Sequence, residues 1–95
     1  MTYAAIDSIL QGWSRKHGLS ISTEYKDEEV RSVELTDQKG RRYQIWIDLP
    51  DERGSVAVHA WDYRKQRTDA KADIGDLETT LDNLRATVLN WMIVP

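Results

Sequence analysis

Cysteine, long apolar runs and a surplus of basic residues are all missing from this sequence. The absence of cysteine from the 95 residues excludes disulfide bonds and thiolate chemistry and is typical of a reducing compartment. No apolar run approaches the roughly 20 residues that span a bilayer. The first ten residues, MTYAAIDSIL, lack the basic region of a secretory signal. We therefore expect a cytoplasmic protein without a membrane segment.

The balance of acidic and basic residues indicates which kinds of molecule the protein could bind. The formal net charge is −3 at pH 7, and the 31% of charged residues include both signs. Domains that bind nucleic acid usually carry a surplus of lysine and arginine, so this balance disfavours nucleic acid. The chain has no motif for a nucleotide, a metal ion or a small-molecule ligand. We predict a non-enzymatic protein without a cofactor.

The aromatic residues, by contrast, form an unusual set. The chain has four tryptophans and four tyrosines but no phenylalanine. Tryptophan and tyrosine combine an apolar body with a polar group, a combination that is favoured at protein interfaces. A length of 95 residues predicts one domain, residues 1–95, with a single hydrophobic core.

The central element is a predicted β-hairpin over residues 41–63. Apolar and polar side chains alternate from residue 42 to residue 49, and the same period of two returns over residues 56–61. Pro50 and Gly54 supply the turn between the two strands. The expected register places three pairs on one face: Leu49 with Val56, Ile47 with Val58, and Ile45 with Ala60.

A helix is predicted on each side of the strands. Residues 3–17 carry an apolar stripe at helical spacing after an N-cap at Thr2, and Gly18 is placed to end this helix. The second helix begins after an N-cap at Asp73. It has the clearest apolar stripe in the chain: Ile74, Leu77, Leu81, Leu84, Val88 and Trp91.

Two further strands are expected at residues 19–25 and 30–37, and a turn with Gly40 at φ > 0 leads into the hairpin. The expected pairing of these strands has two aligned pairs: Ile21 with Leu35 and Thr23 with Val33. Residues 64–73 show no periodicity and are interpreted as a polar connector. The predicted fold is therefore an α+β two-layer sandwich in which a four-stranded antiparallel meander carries both helices on one face, in the order α-β-β-β-β-α.

The second face of this sheet gathers the candidate binding residues: Trp46, His59, Trp61 and Tyr63, with Arg42 at the rim. A contiguous apolar patch of this kind usually marks an interaction site, and large aromatic anchors carry much of the energy of an interface. We predict that this face binds another protein or a second copy of the chain. The alternative is that the connector or the apolar C-terminal tail covers it.

His59 is the one strand histidine, and an enzymatic role for it is a weaker hypothesis. Asp48 and Asp62 are near enough in the predicted hairpin to form a carboxylate–imidazole pair. A catalytic site also needs a nucleophile or a pocket, and a metal site needs about three ligands. Packing of His59 against Trp46 is the favoured interpretation.

Two binding alternatives come from charged segments. The basic residues between positions 64 and 71, next to Trp61 and Tyr63, have the mixture of charge and aromatic rings that binds single-stranded nucleic acid weakly. The acidic segment 24–29 is suited to dock a basic protein, as in small proteins that neutralise a nuclease or a toxin. A solvated turn is the simpler interpretation of that segment.

Overall fold

The computed structural model describes residues 2–93 of the chain. The helices and strands are, in chain order, a 3₁₀ helix Tyr3–Ala5, α1 Asp7–Lys16, β1 Ile21–Tyr25, β2 Glu28–Thr36, β3 Arg42–Ile47, β4 Ser55–Trp61, β5 Arg67–Asp73, a 3₁₀ turn Ile74–Asp76 and α2 Leu77–Ile93. All five strands form one antiparallel sheet in the order β1-β2-β3-β4-β5. The fold is therefore α+β, as predicted, with a meander as its sheet. No helix in residues 2–93 is long and apolar enough to cross a membrane.

The prediction of four strands was wrong, because residues 67–73 form a fifth strand and not a connector. β5 pairs with β4 over its whole length. Its core-facing residues are small ones, Thr68, Ala70 and Ala72, so the sequence shows no strong apolar alternation there. The observed order is α-β-β-β-β-β-α, and the true connector between β4 and β5 is a short turn.

The register of the central hairpin is confirmed at its centre and wrong at its tip. Ile45 pairs with Ala60, Ile47 pairs with Val58, and Trp46 lies opposite His59, as expected. β3 ends at Ile47, however, and the side chain of Leu49 is half exposed. Asp51 closes the turn instead, because its carboxylate accepts hydrogen bonds from the N–H groups of Arg53 and Ser55, both at 2.9 Å.

The pairing of β1 with β2 also differs from the prediction. Ile21 lies opposite Val33 and not opposite Leu35. The turn has only two residues, Lys26 and Asp27, both with positive φ (51° and 67°), which matches the tight hairpin turn that continues the twist of the strands. The shorter turn, together with an irregularity in the pairing between Ser22 and Glu24, moves the partner of Ile21 by two positions and the partner of Tyr25 by three.

Both helices and one face of the sheet share a single core. α1 packs on α2 and β1, and α2 packs on β3, β4 and β5. The predicted stripe of the second helix is confirmed, since its residues are buried or packed against the core. The largest fully buried side chains are Trp13, Tyr43, Ile6, Leu10, Ile45, Ile47, Leu77 and Leu81.

A buried ion pair fixes the start of α1 to the sheet. The guanidinium of Arg31, in a side chain that is almost fully buried, donates from Nε and Nη2 to the two carboxylate oxygens of Asp7 at 2.7 and 3.2 Å. It also lies 4.4 Å from the ring centre of Tyr3. The hydrogen bonds from Arg31 hold the pKa of Asp7 below its usual value, although partial burial acts in the opposite direction.

Candidate functional site on the open sheet face

The face of the sheet that points away from the core carries the predicted site residues. Because side chains alternate along a strand, every second residue of β2 to β5 projects to this open sheet face. Its central row runs across four strands through aligned partners: Ser32, Trp46, His59 and Asp69. The next row contains Glu34, Gln44, Trp61 and Arg67.

A groove of about 570 Å³ lies on this face. We call it the aromatic groove, since Trp46, Trp61 and Tyr63 are part of its lining together with Gln44 and polar groups of β1 and β2. The three aromatic side chains are partly buried and partly open to solvent. The groove residues are thus on the surface, and neighbouring side chains hold them.

Within residues 2–93, neither the predicted connector nor the described part of the C-terminal tail lies over the groove. The supposed connector is strand β5, which lies beside β4 in the sheet. At the C-terminus Met92 packs against the core, on the helix side of the sheet. Val94 and Pro95, the end of the predicted tail, lie outside the described residues.

Trp46 is held between a histidine and an arginine. The ring of His59 stacks on it with a centroid distance of 4.7 Å and an interplanar angle of 22°. The guanidinium of Arg67 lies 5.1 Å from the Trp46 ring centre. Both neighbours carry or can carry positive charge, which favours the face of an indole ring. The prediction that His59 packs against Trp46 is confirmed.

Trp61 and Tyr63 form the second aromatic pair, with ring centres 4.8 Å apart. Arg42 lies 5.1 Å from the Tyr63 ring centre and binds Glu34 through two hydrogen bonds of 2.9 Å. The hydroxyl of Tyr63 donates to the same carboxylate at 3.2 Å. The hydrogen bonds from Arg42, more than that from Tyr63, hold the pKa of Glu34 below its ordinary value.

Tyr63 has a backbone conformation that is rare for a bulky residue, with φ of 65°. The turn that contains Tyr63 is held by hydrogen bonds to its neighbour Asp62. The buried carboxylate of Asp62 accepts hydrogen bonds from three successive N–H groups of the turn between β4 and β5, those of Arg64, Lys65 and Gln66, at 2.8 to 3.0 Å. This turn places the Tyr63 ring beside Trp61.

The indole N–H groups of the groove have no partner in residues 2–93, unlike that of Trp13, which donates to Asp82 at 3.0 Å. Every buried side-chain polar atom in the described part of the chain has a hydrogen-bond partner. The N–H groups of Trp46 and Trp61 are therefore accessible to solvent. They are free donors for a bound partner.

Both ring nitrogens of His59 bind carboxylates, one from each neighbouring strand. Nδ1 lies 2.6 Å from Asp69 and Nε2 lies 2.8 Å from Asp48. A neutral imidazole has only one N–H, so donation to both carboxylates requires the protonated ring. Burial lowers the pKa of His59, but the hydrogen bonds to Asp69 and Asp48 outweigh it and the net shift is upward. His59, Asp48 and Asp69 form a carboxylate–histidine clamp across β3, β4 and β5.

The clamp predicts a pH-dependent stability. Because the pKa of His59 is raised in the folded state, protonated His59 stabilises the fold fully at pH values below the ordinary histidine pKa of about 6.5. This stabilisation is lost as the pH rises through the pKa that His59 has in the folded protein. The pKa of Asp69 is lowered, mainly by its hydrogen bond to His59, so its contribution is lost only when pH falls below about 4. We expect the free energy of unfolding of the wild type, minus that of His59→Gln, to be largest near pH 5–6 and to shrink toward about pH 9.

Urea unfolding of the two proteins at a series of pH values measures this difference. Asp27→Asn, which removes an exposed carboxylate of the β1–β2 turn outside the clamp, is the matched control and should show no such change with pH. A difference between the wild type and His59→Gln that stays constant from acid to alkaline pH would exclude the protonated clamp.

The hydrogen bonds of His59 to Asp48 and Asp69 also limit what this histidine could do in catalysis or metal binding. With both nitrogens of His59 bound to carboxylates, neither is free for a substrate. Residues 2–93 contain no group of three or more histidine or acidic side chains placed to hold a metal ion.

The structure pairs two cations of the basic segment with carboxylates, and it shows the acidic segment as an exposed turn, which was the simpler interpretation. Arg67 lies 3.0 Å from Asp69 and Lys71 lies 3.5 Å from Asp51, so each of these two exposed cations of the 64–71 segment has a carboxylate beside it. The carboxylates of the acidic segment surround the β1–β2 turn and are exposed: Glu24, Asp27, Glu28 and Glu29.

The structure places all five predicted site residues close together on one face of the sheet. The sequence analysis missed the residues that contact them, which are Glu34, Arg67 and Asp69, and the lining residue Gln44. Their positions depend on pairing with β2 and β5, and the signal for β5 was the alternation of charge from Arg67 to Asp73.

No family model matches this chain, and no curated protein and no solved structure is similar to it.

Proposed function

We propose that this protein is a small, non-enzymatic interaction domain whose aromatic groove binds a segment of another protein. The observation that carries the proposal is the groove itself, about 570 Å³ in volume and lined by Trp46, Trp61 and Tyr63. Two of these rings offer an accessible indole N–H. Arg42 lies at the rim of the groove beside Tyr63, and His59 supports Trp46 by stacking on its ring.

The physical basis is the way in which interfaces concentrate energy. Tryptophan, tyrosine and arginine are the residue types that most often dominate binding, and they do so where neighbouring side chains already hold them. Trp46 is held by the stacked ring of His59 and the guanidinium of Arg67, and Tyr63 by the tilted ring of Trp61 and the guanidinium of Arg42. Little rotamer entropy is then lost when a partner binds.

The conformation of Tyr63 supports a functional role. A positive φ costs a residue other than glycine or asparagine about 1 kcal/mol, and such conformations concentrate at functional sites. Tyr63→Asn should therefore keep or raise the stability of the protein while it weakens partner binding. A variant that loses stability in thermal unfolding would indicate that the ring serves the fold instead.

The double substitution Trp46→Ala with Trp61→Ala tests the proposal directly. We expect it to weaken partner binding by about 500-fold or more, since each of two central tryptophans is worth roughly 2 kcal/mol and each 1.4 kcal/mol is tenfold in affinity. The measurement starts with a photo-crosslinking residue at position 44, in the floor of the groove, which identifies the partner in cells. Titration of the purified partner then gives the dissociation constant for each variant.

The controls separate binding from folding. Leu49→Ala and Ile93→Ala remove exposed apolar side chains outside the groove and should leave the affinity unchanged. Circular dichroism of the double variant should show a folded protein. If it is unfolded, the two rings belong to the fold, and if it is folded and binds like the wild type, the groove is not the site.

A second candidate function is the docking of a basic protein by the acidic β1–β2 hairpin. It is favoured by the position of Glu24, which lines the aromatic groove and the acidic surface beside it. In this case Glu24→Lys with Glu28→Lys should remove most of the binding, and the affinity of the wild type should fall steeply as salt rises. An affinity that is unaffected by both would exclude this mode.

Weak binding of single-stranded nucleic acid through residues 64–71, Trp61 and Tyr63 is the third candidate. The pairing of Arg67 and Lys71 with carboxylates works against it. Fluorescence titration with an oligonucleotide at low salt decides the matter, because phosphate contacts give the strongest binding there.

A further inference from the structure

The two edges of the sheet differ in how open they are to another strand. At one edge, β1 has an irregularity in its pairing between Ser22 and Glu24, a device that discourages the addition of strands. At the other edge, β5 pairs with β4 without interruption from Arg67 to Asp73, and it contains no proline. No further strand follows β5 in the sheet of residues 2–93.

The free edge of β5 presents a regular set of backbone groups. The N–H of Asp48 donates to the carbonyl of Ala57 at 2.9 Å, so the polar groups of Ala57 point to β3. Lys71 lies opposite Ala57, and in an antiparallel ladder such a pair is not hydrogen-bonded. The N–H and C=O of Lys71 therefore point away from β4. By the same alternation, so do those of Arg67, Asp69 and Asp73.

The side chains of these four residues alternate in sign along the open sheet face. If β5 meets a second β5 in antiparallel orientation centred on Ala70, Arg67 faces Asp73 and Asp69 faces Lys71. By symmetry each pair occurs twice. Opposite charges directly across two strands stabilise their pairing, and these four positions are also the ones whose backbone groups point outward.

Other registers are opposed by the same charges. A shift by two residues in one direction sets Asp69 opposite Asp69 of the second copy and Arg67 opposite Lys71. The shift in the other direction sets Lys71 opposite its own copy and Asp69 opposite Asp73. A shift by one residue would exchange the two faces of the sheet. The centred register is thus the one in which every pair over the full strand is favourable.

The helix layer is compatible with this arrangement. α2 packs on β4 and β5 alike, and strands lie about 4.8 Å apart. Two copies of α2 related across the edge would then lie roughly 10 Å apart, the usual distance between packed helices. Asp82 of α2 binds Trp13 of α1, so the opposite flank of α2 points away from α1. At helical spacing this flank consists of uncharged residues: Thr80, Thr87 and Trp91. All three are partly exposed.

From these observations we infer that β5 pairs with β5 of a second copy to form a two-fold symmetric dimer with one continuous sheet. The interface is isologous, as in most dimers of identical chains. Both aromatic grooves lie on the same side of the joined sheet. The inference does not depend on the proposed function of the groove.

Sedimentation equilibrium over a wide range of protein concentrations measures the dimer. Lys71→Glu places like charges opposite each other at two positions and should weaken the dimer by at least about tenfold. Lys39→Glu makes the same change of charge in the β2–β3 turn, far from β5, and should leave the dissociation constant unchanged. Circular dichroism should show both variants folded.

Two further variants test the register by complementation. Arg67→Glu sets two carboxylates opposite each other at each end of the interface, and Asp73→Arg sets two guanidiniums there, so each homodimer should be weakened. In an equal mixture, the introduced carboxylate of one chain faces the introduced guanidinium of the other, and the remaining end keeps its native pair. A heterodimer of nearly wild-type affinity should form.

Lys71→Pro tests the backbone contact separately. Proline removes an N–H that points to the free edge, where a strand tolerates proline, so the monomer should fold and the dimer should be lost. A wild-type chain that stays monomeric at every concentration would overturn the inference. So would a dimer that Lys71→Glu and Lys39→Glu weaken equally, or mixed Arg67→Glu and Asp73→Arg chains that associate no better than each alone.

Discussion

Leu81→Ala should destabilise the protein by about 3 kcal/mol, the largest effect that we expect of any single substitution considered for this fold. Leu81 lies at the centre of α2, is fully buried and belongs to the core shared by both helices and the sheet. Truncation to alanine removes the buried methyl groups and leaves a cavity that a close-packed core cannot fill. In a domain of this size, the melting temperature should fall by about 15 °C.

Thermal and urea unfolding of wild type and variant measure this loss. Ile93→Ala is the matched control, since Ile93 lies on the same helix with 78% of its surface exposed, and its effect should stay within about 0.5 kcal/mol. If Leu81→Ala were as mild as the control, α2 would not pack on the sheet as described.

Asp62→Ala should cost about 2 kcal/mol and should also rearrange the turn that presents Tyr63. One carboxylate oxygen of Asp62 accepts all three N–H groups of the turn, and the residue is 6% exposed. Alanine leaves these donors without their partner. Tyr63 is then no longer held at positive φ, and its contact with Trp61 should loosen.

Asp62→Asn separates the two roles of this side chain. The amide keeps one acceptor oxygen, so the three hydrogen bonds can form without the negative charge, and the loss should be about half that of alanine. Urea unfolding gives the stability, and the tryptophan emission of the folded protein reports on Trp61. Equal losses for alanine and asparagine would show that the charge, and not the acceptor, holds the turn.

The groove and the β5 edge meet at Arg67, whose guanidinium lies over Trp46, but substitutions of the tryptophans and of Lys71 each change only one of the two surfaces. Trp46→Ala with Trp61→Ala alters the open face without changing the charges of β5, so it should leave the dimer intact. Lys71→Glu should leave the groove of each monomer unchanged. If both proposals hold, the dimer presents two grooves on one side, and a partner with two binding segments gains affinity by avidity.

Much of this architecture follows from local patterns in the sequence. The alternation of β3 and β4 was sufficient to pair Trp46 with His59, because a period of two with one apolar face leaves a single workable register. The stripe of α2 predicted a buried helix for the same reason. Four of the five candidate residues were predicted to lie together because they occupy the other face of those two strands, and Tyr63 follows in the turn after β4.

The tertiary structure decided what lies beside those strands. β5 is too weakly apolar to be recognised alone, and it becomes a strand because β4 supplies its hydrogen bonds and α2 covers Ala72. Asp48 and Asp69 can bind His59 only when β3, β4 and β5 are aligned. Arg31 can bind Asp7 only when α1 packs on the sheet. Local periodicity records which side of an element is apolar, whereas these contacts join residues far apart in the chain, and only the packing of the whole molecule brings them together.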